Sequence, residues 1–198
     1  MTDAKSTQAR ETKRKMEQVA RQLFVERGYD NVSGEEIVAR SAVTRGALYH
    51  HYDGKKGLFE AVVDTLMQEV HGRLAKGAAG ASDPLQAVER GIGIFLKVCT
   101  EPGTQRILLV DAPAVLGWSR WREMDAKYGF GLLRQGLAAA MAAGRMRPQD
   151  PDVLAHILLG AMTETALAVA RSDRPDKARK EAERALLAML DGWRIQPK

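Results

Sequence analysis

The stretch from Val32 to Leu58, VSGEEIVARSAVTRGALYHHYDGKKGL, leaves the chain few ways to fold around it. Ser33 followed three residues later by Glu36 is a capping box, so a helix opens there and buries Ile37 and Val38. That helix stops near Ser41, and Thr44 is placed to cap the next one. Val43 before this cap and Leu48 inside the second helix have the spacing of a hydrophobic staple, which sets the angle of entry. The outward face of the second helix then carries Thr44, Arg45, Ala47, Tyr49 and His50. Two short helices at a fixed angle, the second dressed with hydrogen-bond donors, form the helix-turn-helix pattern, whose second helix enters the major groove of DNA.

The charges in this stretch break a local rule. Arg45 lies in the first turn of the second helix, and Lys55 and Lys56 lie in the first turn of a third, for which Asp53 is the expected cap. The helix macrodipole opposes a cation at an exposed N-terminus by roughly 0.3–1 kcal/mol. Such conflicts collect at functional sites, and a phosphate at each position would remove them by accepting from helix N–H groups and pairing with the cation. Taken singly, each is explained as an ordinary solvated charge. Beside two capped helices, contact with a nucleic-acid backbone is the better reading. The candidate DNA-contacting set is Ser33, Thr44, Arg45, Gly46, Ala47, Tyr49, His50, Lys55 and Lys56.

Through its first sixty or so residues the chain resembles the TetR family of bacterial transcriptional regulators. The segment LFVERGYDNVSGEEIVARSAVTRGALYHHYDGKKGLFEAV carries the resemblance, with marks at Leu23, Phe24, Gly28, Tyr29, Ser33, Ile37, Val43, Gly46, Leu48, Tyr49, His51, Tyr52, Lys55 and Leu58. Two positions depart from the pattern. Ala42 stands where the family usually has a turn glycine and is expected to tighten the helix–helix turn. Tyr52 replaces the commoner phenylalanine and keeps the aromatic plug. The resemblance implies a dimer, a ligand cavity walled by helices four to eight, and most often a repressor.

Bulk properties agree with a polyanionic partner. The net charge is +5 and the pI about 9.4, a modest excess that would be weak support by itself. With 45% hydrophobic residues over 198 positions the chain is globular and builds a proper core. A single cysteine, Cys99, excludes an internal disulfide framework and fits a reducing compartment. The first residues, MTDAKSTQARETKRK, lack the apolar core of a signal peptide, and no uncharged apolar run reaches about 18 residues. A soluble cytoplasmic protein with no membrane partner is expected.

Apolar spacing predicts an all-α chain. The first helix runs from about Thr7 to a cap at Gly28, burying Met16, Val19, Ala20, Leu23 and Phe24. Its basic start, Arg10, Lys13, Arg14 and Lys15, reads either as a solvated face or, preferably, as an electrostatic grip on DNA. Helix four runs from Lys55 to about Gly72–Ala75, and the stretch KGAAGASD reads as a loop. Asp83-Pro84 opens helix five, followed by a short helix from about Thr104 to Val110, an irregular DAPAVLG, and a long helix from Trp118 to Gly144. Asp150-Pro151 opens helix eight, and a last helix runs from Pro175 to Trp193. The expected division is 1–54 for a DNA-binding domain and 55–198 for an effector-binding and dimerisation domain, with helix four linking them. From His156 to Ala170 helix eight is apolar on nearly every face, so one side needs a partner; it and the last helix are the expected dimer interface. A dimer also suits a palindromic operator.

Nothing in the sequence matches a metal-protease, P-loop or dinucleotide motif, so no enzyme activity, cofactor or metal is expected. His50 and His51 are adjacent and point about 100° apart on a helix. Gly91-Ile92-Gly93 reads as close helix packing. A small-molecule site suits the second half better. Trp118, Trp121, Asp125 and Tyr128 share roughly one helix face, and aromatic walls with a few polar anchors are what a ligand site requires; core or interface packing accounts for any one of them equally well. The candidate lining residues are Met67, His71, Phe95, Asp111, Trp118, Trp121, Met162 and Glu164, a mix that suggests a mostly hydrophobic effector. Glu164 also reads as a carboxylate that pairs across the dimer or turns to an edge. The expected function is a ligand-responsive, sequence-specific DNA-binding regulator. Two rivals are a helical ligand-binding protein with a vestigial DNA head and a non-specific architectural DNA binder.

Overall fold

The computed structural model describes the chain from Thr2 to Ile195, with side chains from Thr7 onward. Its elements are α1 (Thr2–Arg27), α2 (Gly34–Ser41), α3 (Arg45–Tyr52), α4 (Lys55–Ala79), α5 (Pro84–Cys99), α6 (102–116), α7 (Trp118–Ala142), α8 (Pro151–Ala170) and α9 (Pro175–Asp191). No strand occurs among the described residues; one isolated antiparallel bridge joins Met146 to Arg194.

The sequence signals for helix starts hold at Ser33, Thr44, Asp83 and Asp150. Ser33 Oγ accepts from Glu36 N–H at 3.1 Å and Thr44 Oγ1 from Ala47 N–H at 3.2 Å. Asp83 accepts from Leu85 and Gln86, and Asp150 from Asp152 and Val153. Gly28, at φ +78°, ends α1 with its N–H on Phe24 O. Boundaries differ in three places. α1 begins five residues earlier than expected. α4 continues to Ala79 through the expected loop, because Gly77 lets Ile94 of α5 lie where a Cβ would stand, 2.0 Å from that position. The expected irregular segment is helical: α6 runs through a π-helical stretch, Gln105–Asp111, into Ala112–Leu116. Pro113 cannot donate along a regular α-helix, and the widened turn, with Ala112 N–H on Ile107 O, carries the chain up to it.

The α2–α3 turn closes without the usual glycine. Ala42 adopts φ 53°, ψ 41°, with its N–H on Ala39 O and the Val43 N–H on Val38 O, a Schellman-type end. A left-handed conformation costs an L-residue roughly 1–2 kcal/mol, partly offset in glycine by its greater loss of chain entropy. Ala42→Gly is therefore expected to stabilise the protein by about 1 kcal/mol, read as a higher urea midpoint at an unchanged slope.

Two compact units emerge. One comprises Met1–Leu66 with Pro102–Trp121, the other Met67–Glu101 with Arg122–Lys198. The unit holding the helix-turn-helix thus takes the first half of α4 and all of α6, rather than ending at residue 54. Leu58, Phe59, Val62 and Val63 of α4 are buried, and they complete a core with Met16, Leu23, Phe24, Ile37 and Leu48. Phe24, Tyr29 and Phe59 form an aromatic cluster with centroids 4.9–5.7 Å apart. In the other unit α5, α8 and α9 pack together around Ile92, Leu96, Leu158 and Leu190. There Gly93 of α5 gives close passage to Glu183 of α9, while Gly91 has open space beside it.

Candidate DNA-binding face and polar cluster

Helix α3 is fixed at both ends and from below. Leu48 sits inside at 2% exposure, while Thr44, Arg45, Gly46, Tyr49 and His50 are exposed and Ala47 is half-exposed. The Arg45 guanidinium lies 5.7 Å from the Tyr49 ring and 3.9 Å from Glu35, both exposed partners that leave it available. At the far end, the Tyr52 hydroxyl donates to Glu17 Oε1 at 2.8 Å, and burial together with that carboxylate pushes its pKa well above the usual tyrosine range. The tyrosine does more than plug: its hydroxyl ties α3 to α1. Lys13 of α1 stands 5.5 Å over the Tyr52 ring, and Arg10, Arg14 and Lys15 are exposed beside it in sequence. The His50 and His51 rings lie 4.9 Å apart; partial burial, then His50 and Lys13, hold His51 below the usual histidine range.

Two expectations at the α3–α4 junction need correction. Asp53 does not cap α4. It closes α3 in the left-handed region, φ 55°, with its N–H on Tyr49 O, and Gly54 O accepts the first α4 bond from Leu58. Lys55 is not a free surface cation. Its ammonium donates to Tyr29 O at 3.1 Å and Val32 O at 3.0 Å, and sits 3.8 Å from the Tyr29 ring centroid. The conflict between a cation and a helix N-terminus is resolved here by the carbonyls of the α1–α2 turn. Lys56 is exposed. Tyr29 is held from its other side as well, its N–H donating to Asp111 Oδ2 of α6 at 2.9 Å.

Gly57 carries no motif and was missed by sequence reasoning. A Cβ there would fall 1.5 Å from the backbone oxygen of Tyr52. The available signal was a glycine in the first turn of a helix, a placement that costs about 1 kcal/mol relative to alanine unless packing requires it.

The expected effector residues divide between the units. In the first, Trp121 is 1% exposed but Trp118 is 58% exposed, and Asp111 is engaged with Tyr29. In the second, Met67, Phe95 and Met162 are buried and His71 half-buried, while Glu164 is exposed. Trp118 and Glu164 therefore do not wall an interior site: Trp118 heads a helix after the Gly117 turn, and Glu164 lies on the outward side of α8. Asp125 of α7, outside the expected lining set, is paired within its unit. Burial lifts its carboxyl above the ordinary range, against the pull of Arg122 at 2.7 Å and Thr163 Oγ1 at 3.4 Å. One turn further along α7, Tyr128 accepts from Gln68 Nε2 at 3.0 Å and faces His71 across 6.4 Å.

A doubly capped helix pair with an exposed, donor-bearing second helix, in a chain whose other half is helical, defines a helix-turn-helix DNA-binding protein. Comparison with known proteins narrows this. Residues 85–193, more than half of the chain, match the profile of the tetracyclin repressor-like C-terminal domain, and residues 18–62 match that of bacterial regulatory proteins of the tetR family. The chain belongs to the TetR family of transcriptional regulators, whose members are ligand-responsive DNA-binding repressors. A crystal structure of a TetR-family regulator from Pectobacterium atrosepticum is similar at 30% identity, covering 97% of this chain and 98% of that one, with a TM-score of 0.88. The Transposon Tn10 TetC protein of Escherichia coli is 26% identical over 75% of each chain. The HTH-type transcriptional regulator TtgR of Pseudomonas putida is 30% identical over 50% of this chain, an alignment that spans about half (49%) of its own length.

Proposed function

We propose that the chain is a cytoplasmic homodimeric repressor that binds a palindromic operator and leaves it when a small, mostly hydrophobic effector binds the second half. The observation that carries this is the α3 surface: a helix locked by Thr44, Leu48 and Tyr52 that holds Arg45, Tyr49 and His50 outward. In this reading Thr44, Arg45, Tyr49 and His50 reach bases or phosphates, with Gly46 and Ala47 in the contact, while Ser33 and Lys56 hold the backbone. Dimerisation uses α8 and α9. The inner side of α8 is buried through Leu154, Leu158 and Met162, whereas Val153 and Ile157 on its outer side are 56% and 49% exposed. By length and composition α8 could cross a membrane, but it carries Asp152 and Glu164 and half of it is buried in the protein; a subunit interface accounts for its apolar outer side. Helix α4 offers the coupling, since Lys55 and His71 are about 24 Å apart along it at 1.5 Å per residue.

The test is a fluorescence-anisotropy titration on the duplex upstream of the protein's own gene against a scrambled duplex at physiological salt. A preference of roughly 10³-fold or more is expected for a specific regulator. Equal, weak and steeply salt-dependent binding to both would instead favour an architectural binder.

The two lysines of α4 separate in the same assay. Lys56→Ala is expected to lower the salt slope of binding by about 0.9, one phosphate contact, with stability unchanged. Lys55→Ala is expected to cost about 2 kcal/mol of stability, because two carbonyls lose a charged donor. An equal slope change in both, with no loss of stability in Lys55→Ala, would return Lys55 to the phosphate contacts.

A further inference from the structure

Arg45 and Glu35 stand together on the surface of the helix-turn-helix. The Arg45 guanidinium is 3.9 Å from Glu35 Oε1, and the two side chains are 70% and 69% exposed. Glu36, the other acid in the first turn of α2, is engaged by Arg27 and Arg40 and is 28% exposed. The guanidinium is also guided by the Tyr49 ring, 5.7 Å away. That ring lies against the α3–α4 turn, 3.4 Å from where a Cβ of Gly54 would stand. A planar donor held between a ring and a carboxylate has fewer arrangements to lose on binding.

The carboxylate decides what Arg45 can hold. A phosphate on the guanidinium would come within a few ångströms of Glu35, and repulsion between the two anions would offset the gain. The edge of a base pair carries no net charge. In the major groove guanine offers two acceptors, N7 and O6, and its cytosine offers the N4 amino donor next to them. An arginine beside a carboxylate presents the complementary order, two donors and then an acceptor. In an A·T pair the second and third groups are reversed, so donor would face donor and acceptor would face acceptor.

We propose that Arg45 reads a guanine in each operator half-site through O6 and N7, and that Glu35 accepts from the N4 amino group of the paired cytosine. This rests on the reading above that the chain recognises a specific operator.

Selection of duplexes with a randomised core by the full-length protein at physiological salt, followed by anisotropy titration, tests this. The wild type is expected to enrich a motif with a G·C pair in each half. It should bind that motif about 5- to 150-fold more tightly than the same duplex with A·T at those positions. Arg45→Ala is expected to enrich a motif unchanged except at this pair, where no base is preferred. Arg45→Lys, which keeps the charge but not the fork, is expected to lose part of the guanine preference, and it decides alone if the alanine variant binds no duplex. Glu35→Ala is expected to bind a scrambled duplex more tightly than the wild type does. A wild-type motif without such a pair, or one that both Arg45 variants keep whole, overturns the proposal and leaves the operator reading standing; a salt slope lowered by about 0.9 in Arg45→Ala would then mark a phosphate contact. Unchanged binding of the scrambled duplex by Glu35→Ala overturns it too, because the ground for choosing base over phosphate is gone. If the wild type enriches no motif, sequence-specific recognition fails and the base assignment with it.

Discussion

Gly57→Ala is expected to destabilise the protein by about 3 kcal/mol, at the upper end of what overpacking costs, and to abolish specific DNA binding even where the chain still folds. The added Cβ would lie 1.5 Å from Tyr52 O. That obstacle is backbone, so no rotamer change can relieve it. Either α3 moves away from α4 or the first turn of α4 unwinds, and both displace the helix that presents Arg45 and Tyr49. Thermal unfolding and the anisotropy titration check the two parts separately. An alanine variant with wild-type midpoint and operator affinity would mean that α3 and α4 are further apart than described.

Ile157→Glu is expected to turn the dimer into a monomer at micromolar concentration and to weaken operator binding by at least 100-fold. In a two-fold interface the substitution enters twice, near itself or near the same apolar surface. Removing an unpaired carboxylate from water costs several kcal/mol even after relaxation, and each 1.4 kcal/mol is tenfold in affinity. Because Ile157 is 49% exposed within one chain, the fold of the isolated subunit should be unaffected. Sedimentation velocity together with circular dichroism reads this out. A variant that remains dimeric would move the interface off this face of α8.

Features set by neighbours in sequence were legible without coordinates. The caps at Ser33, Thr44, Asp83 and Asp150 depend on a side chain and an N–H two or three residues away, and all four hold. The inward position of Leu48 followed from the staple spacing. Features set by distant partners were not legible. Lys55 looked like a surface cation because nothing near it in sequence reveals that the Tyr29 and Val32 carbonyls come within reach. Asp111 looked like a ligand anchor because its partner, the Tyr29 amide, lies 82 positions away. Trp118 and Trp121 looked alike, three residues apart, yet one is buried and the other exposed. Asp125 and Glu164 are both carboxylates on apolar helix stretches in the sequence, and only the pairing of Asp125 with Arg122 and Thr163 sets it apart from the exposed Glu164.

The peptide around Tyr29 is gripped from two directions: its N–H by Asp111 of α6 and its carbonyl by Lys55 of α4. Three residues later the chain reaches Val32, also held by Lys55, and then the Ser33 cap of α2. The turn ahead of α2 is thus a hub with two spokes, Asp111 and Lys55, that meet at Tyr29. Substitutions at Asp111 of α6 should therefore disturb the aim of α2 and α3 as readily as substitutions at Lys55 of α4, without altering any side chain on the outward face of α3.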